Sequence, residues 1–249
     1  MDLKMSDAAF LYYLLPNSIM NTSLLDKYRL VLRPEEQREI DFLIFQRHQN
    51  EKLVARAMLR KALSDLTGLN PMAWQFRNTP YGRPEIERPG DYHNLHFSVS
   101  HAAGFVACLL SWHREVGVDV EPIHQVDGML NIADQYFAPA EIAFLRTLPA
   151  DEQSRGFLEL WTLKESYLKA RGSGLSVPLR EIAFDIKKDA DAAYRILATF
   201  GPELPDDSAR WQFNLERLDG HLIAIAVERR SRLPVNIVMH DAVELMNWI

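Results

Sequence analysis

FSVSHAAGFVACLLS, residues Phe97–Ser111, places two strand-like runs on either side of a short connection around Ala102 and Ala103, the pattern of a β-hairpin. It has an echo in FNLERLDGHLIAIAV, Phe213–Val227. Both stretches carry a Phe, an apolar residue two positions on, and a Gly seven positions on that leads into an apolar strand. KLVARAMLRKALSDLTGLNP (Lys52–Pro71) and ELWTLKESYLKARGSGLSVP (Glu159–Pro178) follow a similar order of events. Read as a duplication, the echo predicts an α+β pseudo-dimer. Each of its two similar halves is an antiparallel sheet packed against helices, with the best ligand site at their junction. The halves are expected at 1–114 and 115–249. Any hairpin with a Gly turn looks similar, so the echo alone leaves coincidence open.

The rest of the chain supplies matching elements. AFLYYLLP reads as a first strand rather than as a signal peptide, since MDLKMSDAAFLYYLLP has acids near its start and no clean apolar core. Pro34 followed by Glu35 and Glu36 starts a helix. That helix runs to about Leu69, as one piece or two, with Leu53, Ala57, Arg60, Leu63 and Leu66 at helical spacing and Gly68 as its stop. WQFR from Trp74 is a short strand, NTPYGRP a loop, and VGVDVEPI a further strand. Two helices fall around 127–148, the second after Pro139, and a third covers 152–171. EIAFDI, AYRILATF, WQFNLERL and HLIAIAVERR complete the strands.

At 249 residues the chain is long enough to build a real core. A net charge of −6 argues against a protein that works by coating nucleic acid or anionic membrane. Cys108, the one cysteine, lies in the apolar run FVACLLSW and reads as core, in keeping with a reducing, cytoplasmic setting. No apolar run reaches the roughly 18 residues a membrane span needs.

Three places hold candidate chemistry. In GVDVE, Asp119 and Glu121 are two apart on a predicted strand, so both carboxylates share a face while Val118 and Val120 turn to the core. Like charges side by side resist ionising together unless a cation lies between them, and paired oxygen ligands suit Mg²⁺. A solvated strand face gives the same pattern. On the helix WTLKESYLKARGSGLS (Trp161–Ser176), Trp161, Glu165 and Lys169 are each four apart and share one stripe. A plain Glu-to-Lys pair on an exposed helix explains the charges but not the Trp. A metal ligand with a lysine directed at a phosphate explains both. Gly172 and Gly174 suit a close approach at the helix end, or simply cap it. Ser100 and His101 end a strand before a turn, where polar side chains often project into a site.

FSVSH, GVDVE and WTLKESYLKARGSGLS, in this order and spacing, together resemble the motifs of the Sfp-type 4′-phosphopantetheinyl transferases, and YGRPEI matches the family's Gly-basic-Pro loop. The likeness covers about residues 34–230. It implies a pseudo-dimer of α+β halves and Mg²⁺-dependent transfer of the phosphopantetheine arm of coenzyme A to a serine of an apo acyl or peptidyl carrier protein, releasing adenosine 3′,5′-bisphosphate. By the same likeness, Asp119, Glu121 and Glu165 are the metal ligands. Arg83, Ser100, His101 and Lys169 hold coenzyme A, and Glu165 and Lys169 act in the transfer step. Charge and the lack of a long apolar run lead to an expectation of no nucleic acid and no membrane as partners, and a monomer with an internal pseudo-twofold is expected. One departure is the pair Glu36 and Glu39, at positions where some relatives carry lysines for the 3′-phosphate of coenzyme A. Arg38, Arg47, Lys52 and Arg56 are the candidates to compensate. The intact Asp119, Glu121, Glu165 and Lys169 weigh against a catalytically silent module that binds carrier protein or coenzyme A, and the order of the three motifs weighs against a phosphoanhydride hydrolase using the same metal site. A basic or apolar docking surface for the carrier protein is expected between the halves.

Overall fold

The structure, a computed structural model, describes residues 8–15, 22–174, 177–188 and 194–247. Two compact units divide it, Met1–Arg114 with Asn236–Ile249, and Glu115–Val235. In the first unit the order is β1 (Ala8–Leu14), α1 (Thr22–Arg29), α2 (Pro34–Asp41), the 22-residue α3 (Gln46–Thr67), the hairpin β2 (Gln75–Asn78) and β3 (Pro84–Arg88), and the hairpin β4 (Leu95–Ala102) and β5 (Phe105–Trp112). The second unit repeats that order. It runs β6 (Val116–Pro122), α4 (Met129–Tyr136), α5 (Pro139–Thr147), the 22-residue α6 (Ala150–Arg171), β7 (Ile182–Lys188) with β8 (Tyr194–Phe200), and β9 (Trp211–Leu218) with β10 (His221–Glu228). The expected mixed α+β fold of two similar halves is what forms.

The echo has a conformational cause. Ala103 and Gly104 both lie at positive φ (49° and 85°), as do Asp219 and Gly220 (47° and 72°). Two-residue hairpin turns need that geometry to match the strand twist, and glycine reaches it at no steric cost. Ala102 therefore faces Phe105 across the first turn, as Leu218 faces His221 across the second. Each hairpin then adds the unit's first strand antiparallel to its second arm, so the sheets run β1-β5-β4 and β6-β10-β9. β5 is buried over its whole length, which is why its sequence is apolar without alternation.

In each unit the long helix fills the core. Leu53, Ala57, Met58 and Leu63 of α3 cluster with Phe97, Val106, Cys108 and Leu110 of the first sheet. Phe157, Leu160, Leu163 and Tyr167 of α6 cluster with Phe213, Leu222, Ala224 and Ala226 of the second.

Several expectations change. The helical stretch foreseen from Pro34 to Leu69 as one piece or two forms as two, interrupted at residues 42–45, and α1, which was not foreseen, precedes it. The last stretch, expected to lie in a C-terminal half running to 249, belongs to the first unit instead. There β11 (Asn236–Asp241) pairs parallel with β1, Ala8 opposite Asn236, and α7 (Val243–Asn247) follows. The addition covers what is otherwise a bare strand edge. Among the described residues no helix is long and apolar enough to cross a membrane.

Candidate active site

Helix α6 is not a solvated charged helix. From Gly156 to Ala170 every residue is buried except Trp161, Glu165 and Lys169. The four-apart stripe is thus the one open line on a helix packed on its other sides. Trp161 forms its first part, its ring 5.9 Å from Phe157 and 6.4 Å from Phe137, with Tyr136 edge-on at 6.5 Å. Gly172 ends the helix in the left-handed conformation (φ 63°).

Gly117 brings β6 against this helix. A Cβ there would lie 1.9 Å from the Ser166 carbonyl oxygen and 2.5 Å from the Ala170 nitrogen, so strand and helix meet backbone to backbone. Gly117, Asp119 and Glu121 alternate onto the same strand face. They lie opposite Ala226, Ala224 and Leu222 of β10, which pack in the helix core. The carboxylates therefore sit under α6 rather than on a solvated face, and Asp119 is only 5 % exposed. Val116, Val118 and Val120 on the opposite face are buried as well.

The ammonium of Lys169 lies 2.7 Å from Asp119 Oδ1 and donates to it. Burial pushes the Glu121 carboxyl up to about 7. The negative charges of Asp119 and Glu165 add to the rise, and Lys169 and His124 oppose it. Glu165 is also raised above the ordinary carboxylate range, first by burial and then by Asp119, with Lys169 opposing. Two raised carboxyls beside the Asp119 carboxylate make a donor set suited to a hard cation, with oxygens alone as ligands. Among the described residues no three such side chains already converge as a metal cage. Lys169 supplies the positive charge beside Asp119.

The first unit holds the other predicted residues. Ser100 is buried near the end of β4, and His101 follows it. A pocket of about 530 Å³ is lined by Leu43, Arg47, His48, Lys52 and His101, with Glu51 and the turn residues Ala102 and Ala103. The buried Glu51 organises it. Its carboxylate accepts Arg47 Nε at 3.0 Å and the Gly104 N–H at 2.8 Å, and it lies 3.5 Å from His101 Nδ1. Of the four bases considered for the 3′-phosphate, Arg47 and Lys52 line this pocket, while Arg38 and Arg56 do not. Arg83 is in a different, smaller pocket with Arg77, His93 and His96.

Glu36 has a structural task. It accepts the Arg33 N–H at the start of α2 (3.0 Å) and pairs with the fully buried Arg60 at 2.6 Å. Sequence reading missed His124, whose charge bears on Glu121 and which no spacing signals. It also missed the pocket-forming role of Glu51.

Residues 115–226 match the 4′-phosphopantetheinyl transferase superfamily, and residues 22–112 match the N-terminal family of 4′-phosphopantetheinyl transferases. The chain is 30% identical over 215 residues to a putative 4′-phosphopantetheinyl transferase of Synechocystis sp., with 82% of each chain covered. To the 4′-phosphopantetheinyl transferase Sfp of Bacillus subtilis it is 25% identical over 222 residues, 89% of this chain and 92% of the relative. With the 4′-phosphopantetheinyl transferase gsp of Aneurinibacillus migulanus the shared stretch is shorter, 143 residues at 32% identity, and spans 57% of each chain, under two thirds of that relative's length. The chain belongs to the 4′-phosphopantetheinyl transferase superfamily.

Proposed function

We propose that this chain is a 4′-phosphopantetheinyl transferase that moves the phosphopantetheine arm of coenzyme A to a serine hydroxyl of an apo acyl or peptidyl carrier protein. The observation that carries the reading is the open stripe of α6, with Lys169 held 2.7 Å from Asp119 on a helix otherwise buried from Gly156 to Ala170. Asp119, Glu121 and Glu165 would hold Mg²⁺, which when bound supplies charge neutralisation at the pyrophosphate. Glu165 takes the serine proton as the general base on the open stripe. The serine oxygen forms its bond to the phosphorus bearing pantetheine. The bond from that phosphorus to the bridging oxygen breaks, and its electron pair leaves with adenosine 3′,5′-bisphosphate. Lys169 adds positive charge where that phosphate departs. Ser100, His101 and Arg83 hold coenzyme A phosphates, and the units beginning at Met1 and Glu115 act as the N-terminal and C-terminal halves, the second bearing the metal ligands. We place the protein in the cytoplasm, as a monomer.

The test is intact-protein mass spectrometry of a panel of apo carrier proteins with this protein, coenzyme A and Mg²⁺. Expected is a gain of one phosphopantetheine on at least one carrier, abolished by EDTA. No gain on any carrier while coenzyme A still binds would replace the transferase reading with that of a silent binding module.

The Arg47–Lys52–His101 pocket takes the 3′-phosphate of coenzyme A in this reading. Its cations are the pocket's most direct anion ligands. Calorimetry with coenzyme A and with 3′-dephospho-coenzyme A checks this. Wild type is expected to bind coenzyme A roughly 10-fold tighter or more, since one charge-assisted contact is worth about 1.5–3 kcal/mol. Arg47→Ala/Lys52→Ala is expected to bind both alike. A variant that still discriminates would move the 3′-phosphate elsewhere.

A further inference from the structure

Lys164, one residue before Glu165, has no task in the proposed chemistry. It is fully buried, about 100° round the helix from Glu165. Its ammonium donates to the carbonyl oxygens of Leu179 (3.0 Å) and Ile182, lies over the Phe137 ring, and pairs with Glu141 Oε2 at 2.8 Å. Glu141 accepts the Ala138 N–H at the start of α5 and the Phe184 N–H on β7, each at 2.9 Å. One ion pair thus ties α6 to α5, to β7 and to the turn before β7.

The first unit has the same device. Arg60 and Lys164 are each the fifteenth residue of a 22-residue helix. Arg60 pairs with Glu36 near the start of α2, and donates to the carbonyls of Pro71 (2.8 Å) and Trp74 (2.9 Å) just before β2. A pair this deep is a poor source of stability, because desolvating two charges offsets their attraction and apolar replacements are often neutral or better. What the pair contributes is direction. Several fixed contacts on one side chain leave the helix a single rotation about its axis.

We propose that the Glu141–Lys164 pair is a positioning device. It sets the rotation of α6 that points Glu165 and Lys169 at Asp119 and Glu121. The inference rests on the transferase reading for its consequence in catalysis, though not for the geometry itself. A carboxylate about 5–6 Å from the helix axis moves by about 1 Å for each 10° of rotation. A displacement of that size costs on the order of 100-fold in rate.

The test compares wild type with Glu141→Gln/Lys164→Met, which removes both charges and keeps an acceptor for the Phe184 N–H. Three quantities are read: Mn²⁺ affinity by calorimetry, kcat and KM for carrier modification, and the crystal structure. Expected are Mn²⁺ binding weaker by about 10-fold or more, kcat lower by about 100-fold, KM for coenzyme A little changed, and loss of the Lys169–Asp119 contact. A matched variant in the first unit, Glu36→Gln/Arg60→Met, controls for general loosening. It disturbs an equivalent buried pair and is expected to leave Mn²⁺ affinity unchanged. If the double variant does not fold, Glu141→Gln alone is read in the same way. A variant that keeps the Lys169–Asp119 contact and wild-type Mn²⁺ affinity overturns the positioning role. So does equal loss of Mn²⁺ affinity in both matched variants. A wild type inert on every carrier, combined with a displaced α6 in the variant, overturns the transferase reading and supports the positioning role.

Discussion

Gly117→Ala is expected to slow carrier modification on the order of 100-fold and to lower the melting temperature in one step. The added methyl would meet the Ser166 carbonyl oxygen at 1.9 Å and the Ala170 nitrogen at 2.5 Å, and both are backbone atoms that no rotamer change can move. Strand and helix must separate by about 1.5 Å before ordinary contact is restored. Overpacking of this kind costs about 1–3 kcal/mol. The loss of function should be larger than that. Ser166 follows Glu165 directly and Ala170 follows Lys169, so the same shift moves both polar members of the stripe away from Asp119 and Glu121. A 1 Å error at a site of this kind costs on the order of 100-fold in rate. Gly156→Ala is the comparison, because its methyl meets only the side chains of Leu148 and Leu145 on the same unit, the nearest at 2.6 Å. It should cost stability with a much smaller loss of turnover. Thermal melts and kcat for carrier modification decide the matter. A Gly117→Ala protein with wild-type turnover would show that the close approach of β6 and α6 does not set the site.

The same close approach marks the limit of what the sequence discloses. Period two on GVDVE correctly places Asp119 and Glu121 on one face, but period alone does not say what packs on that face. The burial of Asp119 follows from a helix lying on Gly117, and nothing in the strand's own pattern announces it. Trp161, Glu165 and Lys169 are legible as a stripe for the complementary reason. Four-residue spacing fixes their common direction whatever surrounds the helix. Lys164 reads as one more surface charge until the carbonyls of Leu179 and Ile182 are brought beneath it. β11 escapes notice because its residues are half-exposed, and an edge strand of that kind carries little alternation.

The internal repeat was legible at its turns and goes further in the structure. Tyr12 faces Cys108, the fourth residue after Gly104, as Asp119 faces Ala224, the fourth after Gly220. Lys61 and Asp65 hold the sixteenth and twentieth places of α3, as Glu165 and Lys169 do in α6. The Tyr12 hydroxyl donates to Asp65 at 2.9 Å, the counterpart of the Lys169–Asp119 contact. Burial pushes the Lys61 ammonium down to about 8, with the Asp65 charge opposing. The first unit therefore carries a cation of its own, buried, at the position equivalent to Glu165. One fold repeated twice yields a single set of these candidate metal ligands, because the positions equivalent to Asp119, Glu121 and Glu165 are filled in the first unit by Tyr12, Leu14 and Lys61.

Glu165→Gln is expected to lower carrier modification by about 10³-fold, the middle of the range for losing a positioned base, and to leave coenzyme A bound. Stability should move the other way in metal-free protein. Burial and Asp119 raise the Glu165 carboxyl in the folded state above its value in the unfolded chain, and Glu121 rises to about 7. Between the ordinary glutamate range and those raised values the folded protein holds more protons than the unfolded one. Stability is then greatest on the acid side of that window and is lost as pH rises through it. Wild type in EDTA should melt progressively lower as pH climbs toward about 7. Glu165→Gln should soften that decline, and Glu121→Gln/Glu165→Gln should flatten it further, since a neutral amide has no charge to desolvate. Mg²⁺ reverses the sign for wild type alone, because a cation that binds only the folded, ionised site stabilises it by mass action. Melts from pH 5 to 8 with and without Mg²⁺, paired with carrier mass spectrometry, read all of this on the same samples. Full turnover in Glu165→Gln would remove this residue from the chemistry. Lost turnover with a Mg²⁺ response as large as wild type would keep Glu165 as the base and leave the cation to Asp119 and Glu121.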